Sequence, residues 1–302
     1  QVGSTAIGWG DADDNTSKAA IHAALDAGIN FFDTADIYGL GHSENLLGET
    51  LQQNKDVVIA TKVGNVARDG QFTFDYSKEY ILQACEQSLR RLKRDHIHYY
   101  QLHTARMQHL QDGACIEAMR QLQQQGKILH WGLSLNTFEP EPEAEWLMQH
   151  NTGAGFQLVL NLINQKAKGI LKQAAQKGYG VIARMPLQFG LLTGKFDSGA
   201  SFATNDHRKT RVTKEIIDGS NEVLQPVWEL CRKYNCTKTV LALNWVLGYP
   251  GVSTVIAGMR SPQQVTANCN RFFVLDAADK ALIDGLWPEG LRGLMEVIQR
   301  QG

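Results

Sequence analysis

The chain has 302 residues, 43% hydrophobic and 20% charged, which is length enough to bury a sizeable core without disulfide or metal staples. Its 30 Lys and Arg side chains against 31 Asp and Glu leave a formal charge of -1, excluding an electrostatic footprint for nucleic acid or a broad pull toward anionic membrane. Five cysteines, none in a C-x-x-C pair, give no metal or disulfide framework and point to reduced thiols in a cytoplasmic setting.

In chain order one unit recurs: an amphipathic helix, a glycine stop and a short apolar strand. A first strand is expected at Ser4–Gly10. Ile21, Ala24 and Leu25 share a helical face before Gly28, and Asn30–Ala35 follows as the second strand. The third is Val57–Val63. Ser77 is then placed to cap a helix whose Ile81, Cys85, Ser88, Leu89 and Leu92 keep helical spacing. Ile97–His103 is the fourth strand. Met119 and Leu122 precede Gly126 and the fifth, His130–Leu135, and Phe156–Leu162 is the sixth. Leu171 and Ala174 or Ala175 precede Gly178 and the seventh, Val181–Leu187. Phe189 to Arg211, rich in Gly, Asp and Ser, is the longest irregular stretch, and a loop of that length usually carries function. Val252–Met259 is the eighth strand. No apolar run approaches a membrane span and the start is not signal-like, so no membrane partner is expected.

Strands alternating with helices predict a parallel sheet. Eight of them predict closure into one (β/α)8 TIM barrel, with residues 1–302 forming a single domain. The rival, an open doubly wound sheet, would carry G-x-G-x-x-G after its first strand, and that motif is missing.

Reactive side chains of such barrels gather at the C-terminal strand ends. There the sequence offers Asp33 and Tyr38 after the second strand, Lys62 on the third and His103 on the fourth. Singly, each has an ordinary reading as an ion pair, a core histidine or a loop aromatic. Together they make a chemical unit. A phenol is a reluctant acid at neutral pH. A buried ammonium stabilises its phenolate, and an aspartate keeps that ammonium charged and oriented. Histidine is then free to hydrogen-bond a substrate carbonyl, and no metal is needed to polarise it. The rival, a metal-dependent isomerase or hydrolase barrel, needs several His, Asp and Glu at strand ends. Only Asp33 and His103 are suitably placed.

These motifs resemble those of the aldo-keto reductase family, in its bacterial-type NADP-dependent oxidoreductase branch. Asp33-Thr34-Ala35-x-x-Tyr38-Gly39, Lys62 and Gln101-Leu102-His103 look like the family's catalytic tetrad. The likeness runs through nearly the whole chain. It implies NADPH-dependent reduction of an aldehyde, ketone or aldose carbonyl, reversible to alcohol oxidation, with Tyr38 as general acid/base. It implies that Ser134 and Gln157 hold the nicotinamide, and that Arg184 stands where an aromatic ring commonly stacks on it. Pro186, Leu187, Gly190 and Lys195 belong to a loop like the one that folds over the pyrophosphate. Gly258, Arg260, Gln264 and Asn268 match the adenosine-phosphate site, where the guanidinium of Arg260 offers a fork for a 2′-phosphate. Trp9, Asp36, Met185 and Asp206-His207-Arg208 are expected around the cofactor and substrate. The chain as given starts past the hairpin that usually precedes the first strand. The usual Ser-Asn pair reads Ser134-Leu135, with Asn136 one place on. The alternative is a sensor or regulatory protein that binds NADP(H) with little turnover, as the family's potassium-channel β subunits are thought to do.

Overall fold

The computed structural model describes residues 13–197, 199–204, 206 and 208–301. In chain order the strands are β1 (Phe31–Asp33), β2 (Val58–Val63), β3 (Asn65–Arg68), β4 (Gln71–Phe74), β5 (Ile97–His103), β6 (Ile128–Ser134), β7 (Gly155–Val159), β8 (Gly180–Arg184) and β9 (Thr254–Ile256). Seven form one sheet in the order β1-β2-β5-β6-β7-β8-β9, every pairing parallel. Helices such as Lys78–Leu92, Ala114–Gln124 and Lys168–Gln176 connect the strands and cover the sheet. The architecture is the (β/α)8 barrel. The expected first strand, Ser4–Gly10, and Trp9 with it, lie outside the described residues. Between β1 and β9 the described residues leave a cleft of about 570 Å³, lined by both strands and by Gly258, Arg260 and Asn268.

One long-range hydrogen bond requires the sheet to curl. Gln157 on β7 donates to Asp33 on β1 at 2.7 Å, although three strands separate them in the sheet. That contact exists only across the inside of a barrel.

Local chemistry explains the elements. Gly28 and Gly126 take φ of 82° and 71° after their helices, where a Cβ would be strained. The Ser77 hydroxyl accepts from the Tyr80 N–H and caps the helix whose Ile81, Cys85, Ser88, Leu89 and Leu92 are buried. Strand ends differ from the sequence expectation. Residues Leu160–Leu162 leave the sheet because the Asn161 side chain accepts from the Ile163 and Asn164 N–H groups and turns the chain. Met185, at φ 54°, ends β8 before Pro186. The β3–β4 hairpin was not expected; its two-residue turn, Asp69-Gly70, has positive φ at both positions. Among the described residues no helix is long and apolar enough to cross a membrane.

Candidate active site

Asp33, at the C-terminal end of β1, is the hub of the barrel mouth. Its Oδ2 accepts from Lys62 Nζ at 2.5 Å, and its Oδ1 from Gln157 at 2.7 Å and Gln101 at 3.1 Å. Lys62, 1% exposed, also donates to the Thr34 carbonyl at 2.7 Å. Strand alternation points Lys62 inward and its neighbour Thr61 outward. Thr61 there donates to buried Glu44, which also accepts from Arg91 Nε at 2.6 Å. The lysine is therefore fixed from both faces of β2. Burial works against its charge, but Asp33 and then Tyr38 outweigh it and hold the pKa above the ordinary lysine value.

Tyr38 lies in the turn after β1, 43% exposed, with Lys62 Nζ 5.1 Å from its ring centroid. The His103 ring meets it edge-on at 5.9 Å. Burial, helped by the charges of Lys62 and Arg184, pushes His103 well below the usual histidine pKa, so the ring is neutral. Its Nδ1 is buried without a partner, and the Tyr76 hydroxyl fixes the strand end by donating to the His103 carbonyl at 2.6 Å. The structure thus brings all four proposed catalytic side chains together: a buried ammonium, its carboxylate, an accessible phenol and an uncharged imidazole.

The neighbouring strand ends supply a second group. Ser134 is buried at the end of β6, paired in register with His103 and Gln157. Gln157 spends its amide N–H on Asp33. Arg184, ending β8, donates to the Leu135 carbonyl and the Thr137 hydroxyl, each at 3.1 Å, and to the Met185 sulfur; its Nε is buried without a partner. Asn136 accepts from the Phe138 and Glu139 N–H groups, so its carbonyl oxygen serves its own turn.

Pro186, Leu187, Gly190 and Lys195 lie on the loop after β8, where Met185, Gln188 and Phe189 all have positive φ. Such residues persist only where surroundings hold them. Asn161 does the holding, donating at 2.9 Å to both the Met185 carbonyl and the Gln188 side chain. Gly258 and Arg260 lie in the turn after β9. The Arg260 N–H donates to Gln264 Oε1 at 2.7 Å, and Ser261 caps the seven-residue helix Pro262–Asn268. A helix of seven residues adds little dipole at this turn. Asp206 pairs with Arg208.

Sequence reasoning passed over Gln101, Asn161, Glu44 and Tyr76. Gln101 sat inside a quoted motif, and Asn161 follows an apolar strand as turn-forming asparagines do. Glu44 and Tyr76 gave no local signal. Among the described residues no group of three or more His, Cys, Asp or Glu is arranged to hold a metal ion.

A family model described as "Aldo/keto reductase family" matches residues 1–288. An uncharacterized oxidoreductase of Bacillus subtilis, YqkF, is 30% identical over 84% of this chain and 81% of its own length. A putative voltage-gated potassium channel subunit beta of Schizosaccharomyces pombe is 27% identical over 93% of this chain and 84% of its own. Among solved structures, the glycerol dehydrogenase AKR11B4 from Gluconobacter oxydans superposes with a TM-score of 0.81 at 30% identity, covering 93% of this chain and 88% of that one.

Proposed function

The chain belongs to the aldo/keto reductase family, and from that premise we propose that it reduces an aldehyde, ketone or aldose carbonyl with NADPH, and runs the alcohol oxidation in reverse. The observation that carries this reading is the convergence of Asp33, Lys62, Tyr38 and His103 at one mouth. Tyr38 gives the proton to the carbonyl oxygen, since its phenol is accessible beside the lysine ammonium. Lys62 eases that loss by stabilising the phenolate. His103, being neutral, hydrogen-bonds the carbonyl and orients it rather than protonating it.

The donor set fits a nicotinamide cofactor. His103 Nδ1, Gln101 Oε1 and Arg184 Nε are buried and unpartnered around the mouth, and open space surrounds Gly258 where a Cβ would stand. Ser134, Gln157, Asp33, Arg184 and Trp9 would surround the nicotinamide. Pro186, Leu187, Gly190 and Lys195 would cover the pyrophosphate. Gly258, Arg260, Gln264 and Asn268 would take the adenosine end, with Arg260 selecting the 2′-phosphate of NADP. When bound, NADPH supplies the hydride. The substrate is a small molecule, the setting is the cytoplasm, and the chain acts as one barrel unit.

A screen of aldehydes, aldoses and ketones, followed by NADPH absorbance, tests the proposal. Turnover on at least one class is expected. NADPH binding with no turnover on any would favour the second reading, a nucleotide-binding regulatory protein, which draws support from the similarity to the yeast channel subunit.

A further inference from the structure

Charge accounting at the mouth leaves one cation over. Lys62 is matched by Asp33 within hydrogen-bond distance, and His103 is neutral. Arg184 has no such match. Its donors go to a carbonyl, a hydroxyl and a thioether, its Nε–H has no acceptor, and no carboxylate of the described residues pairs with it. Burial lowers its pKa, but Tyr38 and then Asp33 oppose that effect, and a guanidinium stays charged in any case. A half-buried cation with no carboxylate paired to it is costly and calls for a purpose.

Its position suggests one. From the end of β8 the guanidinium reaches across β7 to the carbonyl of Leu135, the residue after Ser134. It therefore covers the strand ends that present Ser134 and Gln157, the two residues read above as holding the nicotinamide amide. A nicotinamide ring there would lie against a fixed positive charge. The oxidised ring is itself a cation, and the reduced ring is neutral. Like charges in a dry pocket repel strongly, and the neutral form escapes that penalty.

We propose that Arg184 makes the site discriminate between the two oxidation states of the cofactor, holding NADPH more tightly than NADP+. The inference rests on the nucleotide reading of the site and assigns it a direction: the oxidised product is released more readily than the reductant. Arginine at this strand end then acts through charge and not only through stacking.

The test is binding, without turnover. Dissociation constants of NADPH, NADP+ and 2′-phospho-ADP-ribose, which has the same phosphates and no nicotinamide, are measured by tryptophan fluorescence. The proteins are the parent, Arg184→Met and Arg184→Lys. The parent should prefer NADPH by at least about tenfold. Arg184→Met should bring that ratio toward one, chiefly by tightening NADP+, and leave the ring-less probe unchanged. Arg184→Lys, keeping the charge, should keep most of the preference. Equal affinities in the parent, an unchanged ratio in Arg184→Met, or its loss in Arg184→Lys would overturn the proposal. Failure of all three nucleotides to bind the parent would overturn the nucleotide reading itself, and this inference with it.

Discussion

Asp36, two residues before Tyr38, donates its backbone N–H to the Lys62 carbonyl, yet its carboxyl Oδ1 is buried without a partner. Burial first, then the charge of Glu44, raises its pKa to about 7, with the Ile37 N–H, Arg91 and Lys62 acting the other way. The unfolded chain ionises this group near the ordinary value of 3.8, so the fold's relative stability is full below that pH. It is lost as pH climbs through about 7. Asp36→Asn should therefore stabilise the protein at about pH 8 by on the order of 1–3 kcal/mol, and confer much less near pH ~4. Urea unfolding at the two pH values measures this. An unchanged difference between them would mean that Asp36 is not held protonated by the fold. Asp36 is legible in the sequence as a neighbour of Tyr38, but its environment is built by Glu44 and Arg91 from later helices and could not be read from the motif.

At the scale of elements, Asn161 links β7 to the loop after β8. Its side chain makes four hydrogen bonds, two given to Met185 and Gln188 and two taken from Ile163 and Asn164. Asn161→Leu removes a partner from each of those four groups, the Met185 carbonyl keeping the bond it accepts from the Gln188 N–H, and this should cost about 2–4 kcal/mol of stability. It also frees a loop held at positive φ, so NADPH affinity should fall by about tenfold or more, the equivalent of 1.4 kcal/mol. Denaturant melts and nucleotide titration check the two parts. A destabilised variant with parental NADPH affinity would show that this loop does not hold the cofactor. Strand positions were largely legible: Ile97–His103 matches β5 residue for residue. Overruns came where apolar residues stay buried after leaving the sheet, as Leu160 and Leu162 do. Hydropathy cannot separate a buried turn from a buried strand. The β3–β4 hairpin was legible from Asp69-Gly70 between alternating residues and was passed over.

Across the whole molecule, the alternation of helix and strand was enough to derive the barrel, because each unit is local. What makes it a site is not local: Gln157 and Asp33 are 124 residues apart. The proposed cofactor residues likewise reach from Asp33 on β1 to the helix after β9, so nucleotide binding should stabilise the fold as a unit. NADPH at about 100 times its Kd should add roughly 2.7 kcal/mol and raise Tm by about 5 °C. NADH at the same concentration should raise it less, and Arg260→Ala should close that gap. Equal shifts in the parent would contradict the 2′-phosphate role of Arg260. The central claim is that Tyr38 delivers the proton, with Lys62 as its electrostatic partner. It is tested most directly by steady-state reduction of one screened substrate by the parent, Tyr38→Phe, Lys62→Met and the double variant. We expect each single change to lower kcat by roughly 10²–10⁴-fold with NADPH affinity nearly unchanged. The double variant should be little worse than either, because the two residues act as a unit. A Tyr38→Phe protein that keeps most of the parent's kcat would contradict the account, since another group would then supply the proton.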